Sequence, residues 1–158
     1  LTATPVQVAQ MVASIANGGY SVTPTVYLGT TQDGGSLEER RDGNGPSRRI
    51  MSERTAAALR EMLIGVVERG SGTHARPDRG GAGGKTATAQ TGVFQGEEEV
   101  LHGWFAGFYP AQKPQYAVVI LAEGGGEGSE LPARIFARLC DGIAGITAPD
   151  PTVPGNFK

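Results

Sequence analysis

The sequence predicts an α+β fold, an antiparallel sheet covered by helices. Three observations carry that prediction. Two amphipathic stretches come first, with apolar residues at i, i+3, i+4 and i+7. Strand-like runs then follow one another between residues 85 and 122, the last two joined by five turn-forming residues at 110–114, which makes them an antiparallel pair. A third amphipathic stretch closes the chain, so the order is helix, strand, helix, three strands, helix. Helices kept apart from consecutive strands mark the α+β class. At 158 residues the chain is long enough for one core, burying about 70% of its unfolded surface.

Taken in order, Thr4-Pro5-Val6-Gln7 reads as a helix start, with Thr4 as cap, Pro5 at the first helical position and Gln7 closing a capping box. Val8, Met11, Val12 and Ile15 follow on one face until Gly18-Gly19 ends the helix. A short strand is expected over 22–28, interrupted by Pro24. Residues 29–49 are rich in Gly, Asp, Glu and Arg and read as a flexible insertion, a solvated loop or loose hairpin. Ser52 caps a second helix whose face is Leu59, Met62, Leu63 and Val66, ending at Gly70. The glycine-rich loop 70–83 leads to a strand over 85–92, residues 96–99 form a turn, and 101–109 pairs with 115–122.

Residues 116–122 are apolar on both faces, so that strand is expected in the middle of a sheet, covered on both sides. It needs at least one neighbour that this stretch does not supply. Ser129 starts the last helix, with Phe136, Leu139, Cys140 and Ile143 inward. The expected organisation is one unit over 1–146 and a disordered, proline-rich tail over 147–158.

Bulk properties exclude several function classes. The net charge of −2 and the mixed signs at Arg40-Arg41 and Arg48-Arg49 give no nucleic-acid footprint. The longest uninterrupted apolar run, 117–122, is far too short to cross a bilayer. Residues 1–5 have neither the basic nor the apolar region of a leader, and a start at Leu1 fits a piece of a longer protein. Cys140 is the single cysteine, which excludes an internal disulfide and a cysteine-based metal cage.

The stretch RGGAGGKTATAQTG at 79–92 carries the candidate chemistry. A phosphate loop needs glycine, four residues, then Gly-Lys-Ser/Thr, but the first glycine falls on Arg79. Such a loop also opens into a helix, whereas Thr86-Ala87-Thr88-Ala89-Gln90-Thr91 alternates and is rich in threonine, which favours a strand. No nucleotide, cofactor or metal is implied. The other eye-catching residues read as structural. His102 heads a core strand without ligand-spaced partners, and His74 sits in a solvent-facing loop. Glu97, Glu98 and Glu99 read as a solvated tip, since adjacent strand residues point to opposite faces. Trp104, Phe105, Phe108 and Tyr109 read as sheet packing.

Four segments, LTATPVQVAQMVASIANGGYSVTP, ERGSGTHA, GGKTATAQTG and HGWFAGFYPAQKPQYAVVILAEGG, occur here in a particular order and spacing. Together they resemble the carboxy-terminal half of the transpeptidase domain of penicillin-binding proteins, of the high-molecular-weight, class B-like kind. The resemblance covers 1–143 apart from the 29–49 loop. It implies a partial serine β-lactamase/transpeptidase-like fold lacking the first strands and the nucleophile helix. It also implies a serine acyltransferase that cross-links peptidoglycan stem peptides and is acylated by β-lactam antibiotics. Such proteins act at the extracytoplasmic face of the bacterial membrane, membrane-anchored and within a cell-wall synthesis complex.

Acyl transfer needs an activated serine, a proton shuttle and donors aimed at the developing oxyanion. The family supplies these through Ser-x-x-Lys, Ser-x-Asn and Lys-Thr/Ser-Gly motifs. Only the third has a counterpart here, Lys85-Thr86-Ala87. By resemblance, Lys85 places a positive charge beside the site, the hydroxyls of Thr86 and Thr88 bind the substrate carboxylate, and the Thr88 backbone N–H is an oxyanion donor. An edge strand suits this task, because a substrate laid along it meets backbone donors and successive side chains together. Ala87 stands where the family has glycine and is expected to tune the packing behind the strand.

None of the seven serines, Ser14, Ser21, Ser36, Ser47, Ser52, Ser71 and Ser129, precedes a lysine by three residues or an asparagine by two. The chain therefore supplies the lysine strand without the nucleophile and is expected to be inactive alone. Absent flanking strands would bare a sheet edge, so a homodimer of the isolated chain is expected. A penicillin-recognising sensor, a non-catalytic binding domain, and a D,D-carboxypeptidase or β-lactamase relative are the alternatives on the same fold.

Overall fold

The computed structural model describes residues 2–26, 48–124 and 130–147, together with the backbone pairing of 29–30 with 38–39. Helix α1 spans Pro5–Ala16, and its start is the expected capping box. The Thr4 hydroxyl accepts from the Gln7 N–H at 3.3 Å while the Gln7 side chain accepts from the Thr4 N–H at 2.8 Å. Gly18 and Gly19 adopt φ of 85° and 104°, and the Gly19 carbonyl then accepts the N–H groups of Ile50 and Met51. The end of the first helix is thereby tied to the start of the second.

The strand expected over 22–28 does not form across 21–26. Pro24 offers no N–H to a ladder, and pairing is confined to a bridge between Tyr20 and Arg49. A two-residue ladder, β1 (Gly29–Thr30) with β2 (Glu38–Glu39), is the part of the hairpin reading that lies within the described residues. Most of the 29–49 segment, Ser129 and the tail after 147 lie outside them.

Helix α2 (Glu53–Arg69) begins at Ser52, whose hydroxyl accepts from the Thr55 N–H at 3.0 Å, and ends at Gly70. Its inward face is rotated from the expected one. Ala56 and Val67 are buried, Leu59, Leu63 and Val66 only half-buried, and Met62 is 67% exposed. On α1 Val12 and Ile15 are buried as expected, but Met11 is exposed and Ser14 buried; on α3 (Glu130–Thr147) Phe136 and Cys140 are buried as expected, but Leu139 is exposed and Ala133 and Ala137 are buried. Small side chains share the innermost helix positions with Val12, Ile15, Val67 and Phe136, while Met11, Met62 and Leu139 stay at the rim.

The main sheet has the order β3-β4-β5, antiparallel throughout, from β3 (Gly83–Gln95), β4 (Glu98–Tyr109) and β5 (Tyr116–Ala122). Among the described residues β5 pairs with β4 alone, Phe105 opposite Ile120 and Tyr109 opposite Tyr116, so the second neighbour that would make residues 116–122 central is not among them. Residues 117–122 are half-buried, because α1 and α3 lie against β5 but no strand covers its outer edge among the described residues. The turn expected at 96–99 tightens to Gly96-Glu97, with Gly96 at φ 68°, and Glu98 and Glu99 belong to β4.

The core joins Val67 of α2, Ala75, Ala82, Phe105 and Tyr109 with Ala133, Phe136 and Cys140 of α3. Phe105 and Phe136 are packed with ring centroids 4.6 Å apart and planes tilted by 50°, a favourable aromatic arrangement. The start of β3 threads between rings. A Cβ on Gly83 would meet Phe108 at 2.3 Å, and one on Gly84 would meet Phe105 at 2.5 Å, so only glycine fits at either position.

Candidate active-site wall

The lysine strand lies at the edge of the sheet opposite β5. β3 pairs with β4 on one side, Lys85 opposite Ala106, Thr86 opposite Phe105 and Ala87 opposite Trp104, and has no strand on the other among the described residues. Alternation along the strand splits the motif. Lys85 and Ala87 share one face and are exposed, Thr88 is exposed on the other, and Thr86 on that second face is only 8% exposed. The Ala87 methyl therefore stands beside the lysine stem on the open face and not in packing behind the strand.

The Lys85 ammonium is held by three neutral oxygens. It donates to the Thr86 carbonyl at 2.8 Å and the Thr86 hydroxyl at 3.0 Å, and reaches the Ser71 hydroxyl at 3.4 Å. An ammonium carries three donors, and these three acceptors match them in number. Among the described residues Lys85 has no carboxylate partner, so its charge is not cancelled locally. The Thr86 hydroxyl also lies 3.4 Å from Ser71 Oγ. Sequence reasoning missed Ser71 in this cluster. It sits 14 residues before Lys85, and the single signal for it was its place in ERGSGTHA just before the glycine loop.

Beyond the motif, β3 is shaped by a bulge between Gln90 and Phe94, with Gly92 at φ 71°. The Glu99 carboxylate holds it, accepting from the Gly92 N–H at 2.8 Å and the Gln90 amide at 3.0 Å. The two histidines stay apart from the motif. His102 Nδ1 accepts from the Gly124 N–H at 3.1 Å, and His74 lies 3.9 Å from Glu130. Among the described residues no three His, Cys, Asp or Glu side chains group as a metal cage, and no helix is long and apolar enough to cross a membrane. Cys140 is not poised to react. Burial, and then the neighbouring Asp141, push its thiol up to about 12.

Helices over an antiparallel sheet, with a glycine-clamped, lysine-bearing strand at its edge among the described residues, form a partial α+β domain whose family the comparisons show. The penicillin-binding-protein transpeptidase domain matches residues 1–141, and the chain belongs to that family. It is 34% identical to the peptidoglycan D,D-transpeptidase MrdA of Acinetobacter baumannii over 85% of this chain and 22% of that protein. It is 32% identical to the penicillin-binding protein PbpB of Mycobacterium tuberculosis over 98% of this chain and 24% of the relative. Among solved structures, the transpeptidase domain of penicillin-binding protein 3 from Burkholderia pseudomallei superimposes with a TM-score of 0.70 at 26% identity, covering 96% of this chain and 45% of that one. The chain thus spans about a quarter of the length of these curated relatives.

Proposed function

We propose that this chain forms one wall of the active site of a serine-type peptidoglycan D,D-transpeptidase, which cross-links cell-wall stem peptides and is acylated by β-lactams. The observation that carries the proposal is the uncancelled Lys85 charge at an open sheet edge in a chain of the transpeptidase family. Two relatives named above bear the names D,D-transpeptidase and penicillin-binding protein.

In this reading an acyl donor lies antiparallel along β3 and is gripped through its backbone as an added strand. Lys85 supplies positive potential that favours the anionic substrate and the negative charge that grows during attack. Thr86 and Thr88 offer hydroxyls to the substrate carboxylate, and the Thr88 N–H is one oxyanion donor. Ala87 narrows the open face beside Lys85 by one methyl. The nucleophilic serine and the group that activates it come from outside this chain, since no serine here has the required spacing. No cofactor takes part. The complete protein works at the extracytoplasmic face of the membrane, anchored and within a cell-wall synthesis complex. Residues 1–146 form the carboxy-terminal part of its transpeptidase domain.

The test is an intact-mass spectrum of this polypeptide and of the full-length protein after incubation with a fluorescent penicillin. Acylation of the full-length protein alone is the expected result. An adduct on the isolated chain would overturn the assignment of the nucleophile, and no adduct on either would overturn the enzymatic reading.

A further inference from the structure

We infer that Ser71 is a positioning residue for Lys85: it fixes the ammonium at the sheet edge through a contact from outside the strand. The inference rests on the reading of Lys85 as a working part of the site. Of the three oxygens around the ammonium, two belong to Thr86, the next residue on the same strand. Such local contacts move with the strand and leave a long flexible stem several ways to satisfy them. Ser71, in the turn after α2, is the third acceptor and the one from another element. It ties the lysine to the body of the domain.

That serine is itself held on both sides. The Gly70 N–H donates to the Val66 carbonyl at 3.1 Å, and the Gly72 N–H donates to the same oxygen at 3.0 Å. Gly70 has no room for a side chain, and a side chain at Gly72 would need Val66 to give way. A Cβ on Gly70 would lie 2.9 Å from Val66 Cα, and one on Gly72 would lie 3.0 Å from Val66 Cγ1 and 3.5 Å from the Phe105 ring. The Gly72 carbonyl then accepts the Ala75 N–H at 2.9 Å, starting the 3₁₀ turn Thr73–Ala75. Gly-Ser-Gly is thus pinned to the last turn of α2, with the Ser71 side chain directed at Lys85 and Thr86. The hydroxyl of Thr86, a residue only 8% exposed, closes a triangle with sides of 3.0, 3.4 and 3.4 Å. Among the described residues, Lys85 and Ser71 are the side chains that meet this hydroxyl. Ser71 receives no proton from the substrate and forms no bond to it in this role.

The experiment uses the full-length protein and follows acylation by a fluorescent penicillin, separating the rate constant for acylation from the affinity of the preceding complex. Ser71→Ala is expected to lower the acylation rate constant roughly ten-fold, the size of one lost hydrogen bond to a charged group, with little change in affinity. Ser71→Thr keeps the hydroxyl and restores the rate to within about three-fold. In a Lys85→Ala background, Ser71→Ala is expected to have no further effect, since coupled residues are not additive. A Ser71→Ala rate within two-fold of the parent, or equal losses from Ser71→Ala with and without Lys85, would overturn the positioning role. A penicillin adduct mapped to Ser71 itself would also overturn it. Failure of the underlying reading looks different: Lys85→Ala alone would then be acylated at the parental rate.

Discussion

Replacing Gly84 by alanine tests the packing that aims the lysine strand. The added methyl would stand 2.5 and 2.6 Å from two carbons of the Phe105 ring and 2.8 Å from the Ala106 carbonyl. Comfortable carbon contacts begin near 3.5 Å, so something must move by about 1 Å. The carbonyl belongs to the β3–β4 ladder. Phe105 is fully buried and backed by Phe136 at 4.6 Å, so the ring cannot swing away freely. On the facing strand, Gly107 is equally tight, 2.5 Å from the Gly83 carbonyl for a Cβ there. Overpacking of this kind costs about 1–3 kcal/mol, and the absence of an escape route places Gly84→Ala at the upper end.

Gly142 of α3 is the matched control. Nothing lies within 4 Å of a Cβ at that position, and alanine in a helix gains about 0.5–1 kcal/mol over glycine. Urea unfolding of the two variants beside the parent, read at constant slope, should separate their midpoints by roughly 1–3 M. If Gly84→Ala unfolds within about 0.5 kcal/mol of the parent, the rings do not clamp the strand and the argument from close approach fails.

Five further outcomes are expected. Phe136→Ala should cost about 3–5 kcal/mol in urea unfolding by opening a cavity beside Phe105, and a loss below 1 kcal/mol would contradict the core assignment. Cys140 should resist iodoacetamide at pH 8 until the chain is unfolded; alkylation of the folded protein at the rate of a free thiol would contradict its burial. Its thiol is raised from 9.0 to about 12, and burial raises the Tyr109 phenol as well, so both groups hold their protons longer when folded. The stability they contribute is therefore complete below about pH 9 and is lost as pH rises toward about 12, so the urea midpoint should fall between pH 9 and 11, and a rise would reverse the sign. Finally, Glu99→Ala should speed hydrogen exchange at Gly92, and the open edge of β5 should drive self-association of the isolated chain; unchanged exchange or a clean monomer in light scattering at high concentration would refute the respective claim.

Local chemistry was the legible part of the sequence. The caps at Thr4 and Ser52 and the stops at Gly18-Gly19 and Gly70 depend on neighbours within a few residues, and each stands where its side chain or backbone required. The inward faces of the helices were legible in part: Val12, Ile15, Phe136 and Cys140 are buried as read, but spacing also ranks Met11, Met62 and Leu139 as core, where close packing favoured Ser14, Ala56 and Ala137. The apolar composition of 116–122 was read correctly as two-sided, yet a strand can be central only if its neighbours are present. At the candidate site, Lys85 was singled out by its motif, and the structure places it on the edge strand. Ser71 was invisible, because its link to Lys85 runs through space across the glycine loop and leaves no periodic trace.

The glycine clamp inverts the usual relation between nearness to a ligand and tolerance of change. Ala87 and Thr88 are the exposed residues that follow Lys85 on the strand. Gly83 and Gly84, which no substrate need touch, admit no side chain at all. Under the proposed role of the strand, variation is thus better borne at 87 and 88, while the two residues before Lys85 act as a fixed datum from which its reach is measured.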